Sequence, residues 1–159
     1  KRGLYEFIEQ GIGSKIPDLY VANRLYGPSY ISLETALSFY SIIPDVAAGV
    51  TSVSARPTRI FKNKYGSFFY KTCKKEAFKG YKLMPYDGFR VCIADREKSL
   101  VDFLYYRLRT GNIVDFKEER LNKNILRRLN WSKAFRYAGL FNKNTIHALR
   151  KCKEYVKLC

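Results

Sequence analysis

The spacing of apolar positions changes several times along the chain, and each change predicts an element. Leu4, Phe7 and Ile8 predict a short strand in KRGLYEFIEQ, and GIGSKIP after it reads as a linker. Asp18, following Pro17 and preceding LYVANRLY, is placed to cap a helix. Gly27-Pro28 breaks that helix. Ser32 is the expected N-cap of a second helix, with Leu33, Ala36, Leu37 and Tyr40 at helical spacing. Pro44 prevents its continuation. From Val46 onward the period becomes that of strands. GVTSVSA is small and β-branched. TRIFKN and SFFYKT flank Lys64-Tyr65-Gly66, a hairpin in which Gly66 supplies a positive φ. In TRIFKN, Thr58, Ile60 and Lys62 fall on one face and Arg59, Phe61 and Asn63 on the other, and neither face is purely apolar. A short turn, CKKEAFKG, leads to YKLM. Asp87-Gly88 then turns the chain into FRVCIA, an apolar strand expected to be central. Asp95 caps the clearest helix, ADREKSLVDFLYYRLR, with Leu100, Phe103, Leu104 and Leu108 in one stripe. Thr110-Gly111-Asn112 ends it. Three short amphipathic helices are expected beyond, in FKEERLNKNILRRLN, WSKAFRYAGLF and NTIHALRKCKEYVKLC.

These elements predict an α+β fold. A mixed, mostly antiparallel sheet near residues 47 to 94 is packed by helices before and after it. The first domain spans residues 1–110, and a C-terminal helical subdomain covers 111–159. The length, 159 residues, suits one core. The aromatic fraction of 16% is high enough to argue against disorder.

Charge changes the picture more than composition does. Thirty Lys and Arg against 14 acids give a net +16, and the excess is uneven. Residues 56–82 carry +8 and residues 107–159 carry +10, while residues 1–55 and 83–106 are each −1. A field of this sign attracts polyanions, and phosphate contacts alone supply most non-specific DNA affinity. In RPTRIFKNKYGSFFYKTCKKEAFKGYK seven aromatic residues are threaded between nine cations. Phe61, Phe68 and Tyr70 are expected inside, with Tyr65 and one of Phe69 or Tyr70 exposed. Unpaired cations are not buried, so a cationic ridge is expected outside. The candidate contacts for nucleic acid or a partner are Arg56, Arg59, Lys62, Lys64, Lys71, Lys74, Lys75 and Lys79, with Arg127 and Arg128 in the tail. Changing Lys62, Lys64, Lys71 and Lys74 to Glu is expected to leave the fold intact.

Catalytic and metal chemistry is thinly represented. Cys73, Cys92, Cys152 and Cys159 form no CxxC pair, and His147 alone does not complete a zinc site with them. Reduced thiols in a cytoplasmic protein are the simplest reading. No cofactor and no metal are expected. Asp95-Arg96-Glu97-Lys98 lacks the spacing of a nuclease (D/E)xK strand, and a capping role for Asp95 explains it better. A metal-dependent nuclease using Asp95 or Asp87, and a basic module for an acidic protein, are the alternatives. No apolar run approaches about 18 residues, so no membrane span is expected, nor a signal peptide. The start at Lys1 rather than Met suggests a fragment.

Three strings resemble one family. YGPSYISLETALSFYSIIPD, GVTSVSARPTRIFKNKYGSFFY and GFRVCIADREKSLVDFLYYR together resemble the AbiEi-family antitoxins of type IV toxin–antitoxin (abortive-infection) systems, over roughly residues 1 to 110. The resemblance implies a non-enzymatic antitoxin and transcriptional autoregulator, used in phage defence, that counteracts a nucleotidyltransferase-like toxin. It implies operator DNA and that toxin as partners. Lys1 to Ile8 resembles the last strand of a winged helix-turn-helix whose remainder this chain lacks, so sequence-specific reading by a recognition helix is not assigned to it.

Overall fold

In the computed structural model, which describes residues 16–158, six α-helices surround a six-stranded mixed sheet. The expected strand at Leu4, Phe7 and Ile8 and most of the linker lie outside the described residues. In chain order the elements are α1 (Asp18–Leu25), β1 (Ser29–Ile31), α2 (Leu33–Phe39), β2 (Val50–Ser54), β3 (Arg59–Asn63), β4 (Gly66–Thr72), a 3-10 turn (Lys75–Ala77), β5 (Tyr81–Tyr86) and β6 (Phe89–Ala94). The helices α3 (Arg96–Arg109), α4 (Lys123–Leu126), α5 (Trp131–Ala138) and α6 (Lys143–Lys157) follow.

The strand order is β3-β4-β2-β1-β6-β5. Antiparallel pairs (β3 with β4, β1 with β2, β5 with β6) outnumber the parallel ones (β2 with β4, β1 with β6), as expected. Two placements differ from expectation. The sheet extends back to Ser29–Ile31, and FRVCIA lies one strand in from an edge rather than at the centre. β1 is only three residues long, too short to show a period of two, and it is buried on both faces. Its pairing with β2 and β6 makes it a strand.

Alternation along the strands divides the core in two. On one face Ile31, Val50, Phe68, Tyr70, Val91 and Ile93 pack with Leu19, Val21, Ala22 and Tyr26 of the α1 segment. On the other, Tyr30, Val53 and Ala94 pack with Leu100, Phe103 and Leu104 of α3. The helices after residue 111 join this second cluster through Leu126, Ala134, Ala138, Leu149, Cys152 and Val156. α2 serves both clusters, with Ala36 in the first and Leu33 and Leu37 in the second.

Several caps work differently from the sequence reading. Asp18 is the first helical residue rather than the cap; Pro17 holds the N-cap position, and the Asp18 carboxylate accepts from Leu19 N–H at 2.8 Å. Ser32 does hold the N-cap of α2, but its hydroxyl makes no capping bond. Asp95 caps α3 as expected, accepting from Lys98 N–H at 2.8 Å. In the tail, FKEERLNKNILRRLN is helical only over Lys123–Leu126, with Asn122 as cap. Asn122, Asn130 and Asn142 cap α4, α5 and α6 in turn.

α1 also completes the sheet. The Asn23 amide donates to the Cys92 carbonyl at 3.2 Å and accepts from the Cys92 N–H at 2.7 Å. One side chain thus satisfies both peptide groups of a β6 residue. Asn23→Leu strands both groups and is expected to cost about 1–3 kcal/mol. Chemical denaturation measures this; a loss well under 1 kcal/mol would mean that water replaces the clasp.

Candidate basic interface

A buried polar seam fixes the frame on which the basic residues stand. Tyr30 and Ser32, at β1 and just after it, face Lys98 and Asp102, one turn apart on α3. Tyr30 Oη donates to Asp102 Oδ2 at 2.9 Å, and Ser32 Oγ donates to the same oxygen at 2.8 Å. Lys98 Nζ donates to Tyr30 Oη at 2.8 Å and to Asp102 Oδ1. All four residues are fully buried. Burial, and secondarily the Asp102 charge, push the Tyr30 hydroxyl well above its ordinary value, so it stays a proton donor. The Ser32 hydroxyl is thus engaged by Asp102, which explains its failure to cap α2.

The tetrapeptide Asp95–Lys98 anchors the tail as well. Asp95 Oδ2 accepts from Tyr137 Oη at 2.7 Å and lies 2.9 Å from Lys133 Nζ. Burial and the Asp95 hydrogen bond raise the Tyr137 hydroxyl pKa, while the same carboxylate raises that of Lys133 chiefly by hydrogen bonding. Glu97 accepts from the Asn130 N–H at 2.9 Å. Gly80 lies against this corner at φ +83°, where a Cβ would come within 2.9 Å of both Lys98 Cγ and Tyr137 Cζ. Asp95 and Asp87 sit beyond opposite ends of β6, whose six residues separate them by about 20 Å. They do not share a metal site, and among the described residues no three His, Cys, Asp or Glu side chains cluster as ligands.

The ten candidate cations are all exposed. Among the described residues none of them pairs with a carboxylate, since the ion pairs engage Lys98, Arg107, Arg120 and Lys133 instead. They do not form one ridge. Arg56 and Arg59 gather at Tyr26: the Arg56 guanidinium lies 4.2 Å from the ring centroid and donates to the Gly27 carbonyl at 2.9 Å, and Arg59 lies 5.8 Å from the same ring. Lys62 and Lys64 mark the hairpin tip, where Lys64 Nζ is 5.3 Å from the Tyr65 ring. Lys71 lines a cleft of about 480 Å³ with Glu34, Asp45, Glu118 and Glu119. Arg107 in that cleft donates through Nη2 to Glu119 Oε2 at 3.2 Å; its Nε is 3.2 Å from Oε1 but lacks hydrogen-bond geometry. Lys74, Lys75 and Lys79 follow β4 around the 3-10 turn, and Lys74 Nζ donates to the Phe141 carbonyl at 3.1 Å. Lys74 is therefore a tether to the helical tail as well as a surface charge. Arg127 and Arg128 lie just beyond α4, with Arg127 donating to Asn124.

The aromatic residues divide largely as the alternation predicts. Phe68 and Tyr70 are fully buried, and Phe61 is half-buried against Tyr26 and Tyr70. Phe69 rather than Tyr70 is the partly exposed member of its pair, and Tyr65, expected to be exposed at the hairpin tip, is half-buried against the core. Sequence reasoning missed the buried seam. Its one signal was a Lys and an Asp four residues apart on an otherwise apolar helical face.

His147 is exposed on α6. Cys73, Cys92 and Cys152 are free thiols. Burial pushes Cys73 up to about 11 and Cys152 up to about 12. Both are therefore protonated at pH 8 and inert as nucleophiles. Peptide mapping after brief alkylation at that pH is expected to find both unmodified in the folded protein. Rapid labelling of either would show that its helix packing opens.

Among the described residues no helix is long and apolar enough to cross a membrane. No protein-family model matches the chain, and no curated protein matches it either.

Proposed function

We propose that this chain is an antitoxin of the AbiEi type and a transcriptional autoregulator. It counteracts a nucleotidyltransferase-like toxin in the cytoplasm, acting by binding rather than turnover. The supporting observation is that the three resembling strings bond to one another, the first and third through the buried seam and the first and second through separate hydrogen bonds beside it. YGPSYIS supplies Tyr30 and Ser32, and ADREKSLVD supplies Lys98 and Asp102. SARPT supplies Ser54, whose hydroxyl donates to the Pro28 carbonyl at 2.8 Å, and Pro57, whose carbonyl accepts from Tyr26 at 2.9 Å. The residues that carry the resemblance therefore belong to one packed unit of this chain. The ten cations without carboxylate partners provide the surface for operator DNA or the toxin.

The test is growth rescue. Co-expression with a cognate nucleotidyltransferase toxin is expected to restore growth, and unaltered toxicity with folded, abundant chain would sink the antitoxin assignment. A second reading, a basic module for an acidic protein partner, is favoured by the open edge of β3.

A further inference from the structure

The sheet has two edges, and they are built differently. At the β5 edge, Asp87-Gly88 is a two-residue turn, so Tyr86–Phe89, Met84–Val91 and Lys82–Ile93 are the hydrogen-bonded pairs. Tyr81, Leu83 and Pro85 therefore turn their peptide groups outward. Pro85 has no N–H to offer there, and its ring obstructs an incoming strand. The same counting at the other edge gives a different result. Lys64-Tyr65 is again a two-residue turn, and Asn63–Gly66, Phe61–Phe68 and Arg59–Tyr70 are the hydrogen-bonded pairs. Ile60 and Lys62 then direct N–H and C=O away from β4, and no hydrogen bond to any of these groups is made within the described residues. Among the described residues nothing blocks this edge. Ile60 is 61% exposed beside them, and Arg59, Lys62 and Lys64 surround it without carboxylate partners among the described residues.

We propose that the outer edge of β3 takes up an extended, acidic segment of a protein partner as a seventh strand. Backbone hydrogen bonds from Ile60 and Lys62 supply the pairing. Charge selects the occupant. A second copy of this edge brings cations against cations and is repelled, whereas carboxylates opposite Arg59, Lys62 and Lys64 are attracted. An apolar residue opposite Ile60 covers its exposed side chain. This surface does not depend on the antitoxin assignment, and its test uses no toxin, so the two fail separately.

The probe is a fluorescent peptide, Glu-Thr-Glu-Val-Val-Glu, which places acids opposite Lys64, Lys62 and Arg59 when antiparallel to β3. Binding is read by anisotropy with the full chain, beside a 20-base-pair duplex. Wild type is expected to bind the peptide, and a version with Lys in place of Glu to bind at least about tenfold more weakly. Ile60→Pro removes an N–H that β4 does not use, at an outward-facing position of the same kind as Pro85 on the other edge. It is expected to weaken peptide binding at least about tenfold while leaving duplex binding and the thermal melt unchanged. Methylating alternate amide nitrogens of the peptide tests the same point with wild-type protein: the N-methyl pattern that faces β3 is expected to abolish binding. Equal binding of both N-methyl patterns would reduce the contact to charge alone and overturn the proposal. So would no peptide binding at roughly millimolar concentration, or a duplex that binds and is lost with Ile60→Pro.

Discussion

Lys98→Met is expected to lower the free energy of unfolding by about 3–5 kcal/mol. Lys98 Nζ is fully buried with Asp102 and Tyr30 and within 5.0 Å of the Phe141 ring centroid. Met fills most of the same space, so cavity formation contributes little. What remains is the Asp102 carboxylate, left in the core with two hydroxyl donors and no countercharge. The double variant Lys98→Met, Asp102→Leu removes the orphaned charge and is expected to recover part of the loss, though Tyr30 and Ser32 then lack an acceptor. Urea unfolding of both single variants and the double gives the coupling directly. A loss below about 1 kcal/mol for Lys98→Met would mean that water reaches Asp102 and that the seam is not dry.

The second large effect is on binding. Arg59→Glu, Lys62→Glu and Lys64→Glu together are expected to weaken duplex binding on the order of 10²-fold or more at 0.1 M salt. The slope of log K against log salt is expected to flatten by about 2.7. The three residues are exposed, Arg59 and Lys62 on an edge strand that packs chiefly on β4 and Lys64 in the turn that follows it, so the melt is expected to stay within what about 0.5 kcal/mol allows. Lys74 is left out because its Nζ holds the Phe141 carbonyl, and Lys71 because it lines a cleft with four acids, Glu34, Asp45, Glu118 and Glu119. The earlier expectation that Lys74 is a free surface charge is revised on this ground. Growth rescue by the triple variant adds the functional reading. Unchanged affinity and unchanged rescue in a folded variant would reduce the hairpin charge to a solvated face.

Much of the fold was legible because it rests on local patterns. The Asp95 cap, the α3 stripe, the Asp87-Gly88 turn and the strands on either side of both hairpins follow from residue type at fixed short spacing. So does the burial of Phe68 and Tyr70, which alternate with a partly exposed Phe69. Gly66, by contrast, expected in the first hairpin loop, is the first residue of β4 and leaves Lys64-Tyr65 as the turn. The cations were correctly placed on the surface because an unpaired charge is not buried.

Tertiary structure alone decided the rest. Ser29–Ile31 carries no strand period, and only β2 and β6 on either side make it the middle of the sheet. Lys98 has the composition of a solvated helix residue; only the approach of Tyr30, some 70 positions away in the chain, turns it into a core residue. Ser32 looks like a cap until Asp102 claims its hydroxyl. Eight of the ten cations lie within residues 56–79 but form several separate groups in space, because β4 and the 3-10 turn carry them in different directions. In each case the deciding partner is distant in sequence, and a side chain's role follows from the neighbour that satisfies its polar atoms rather than from its own type.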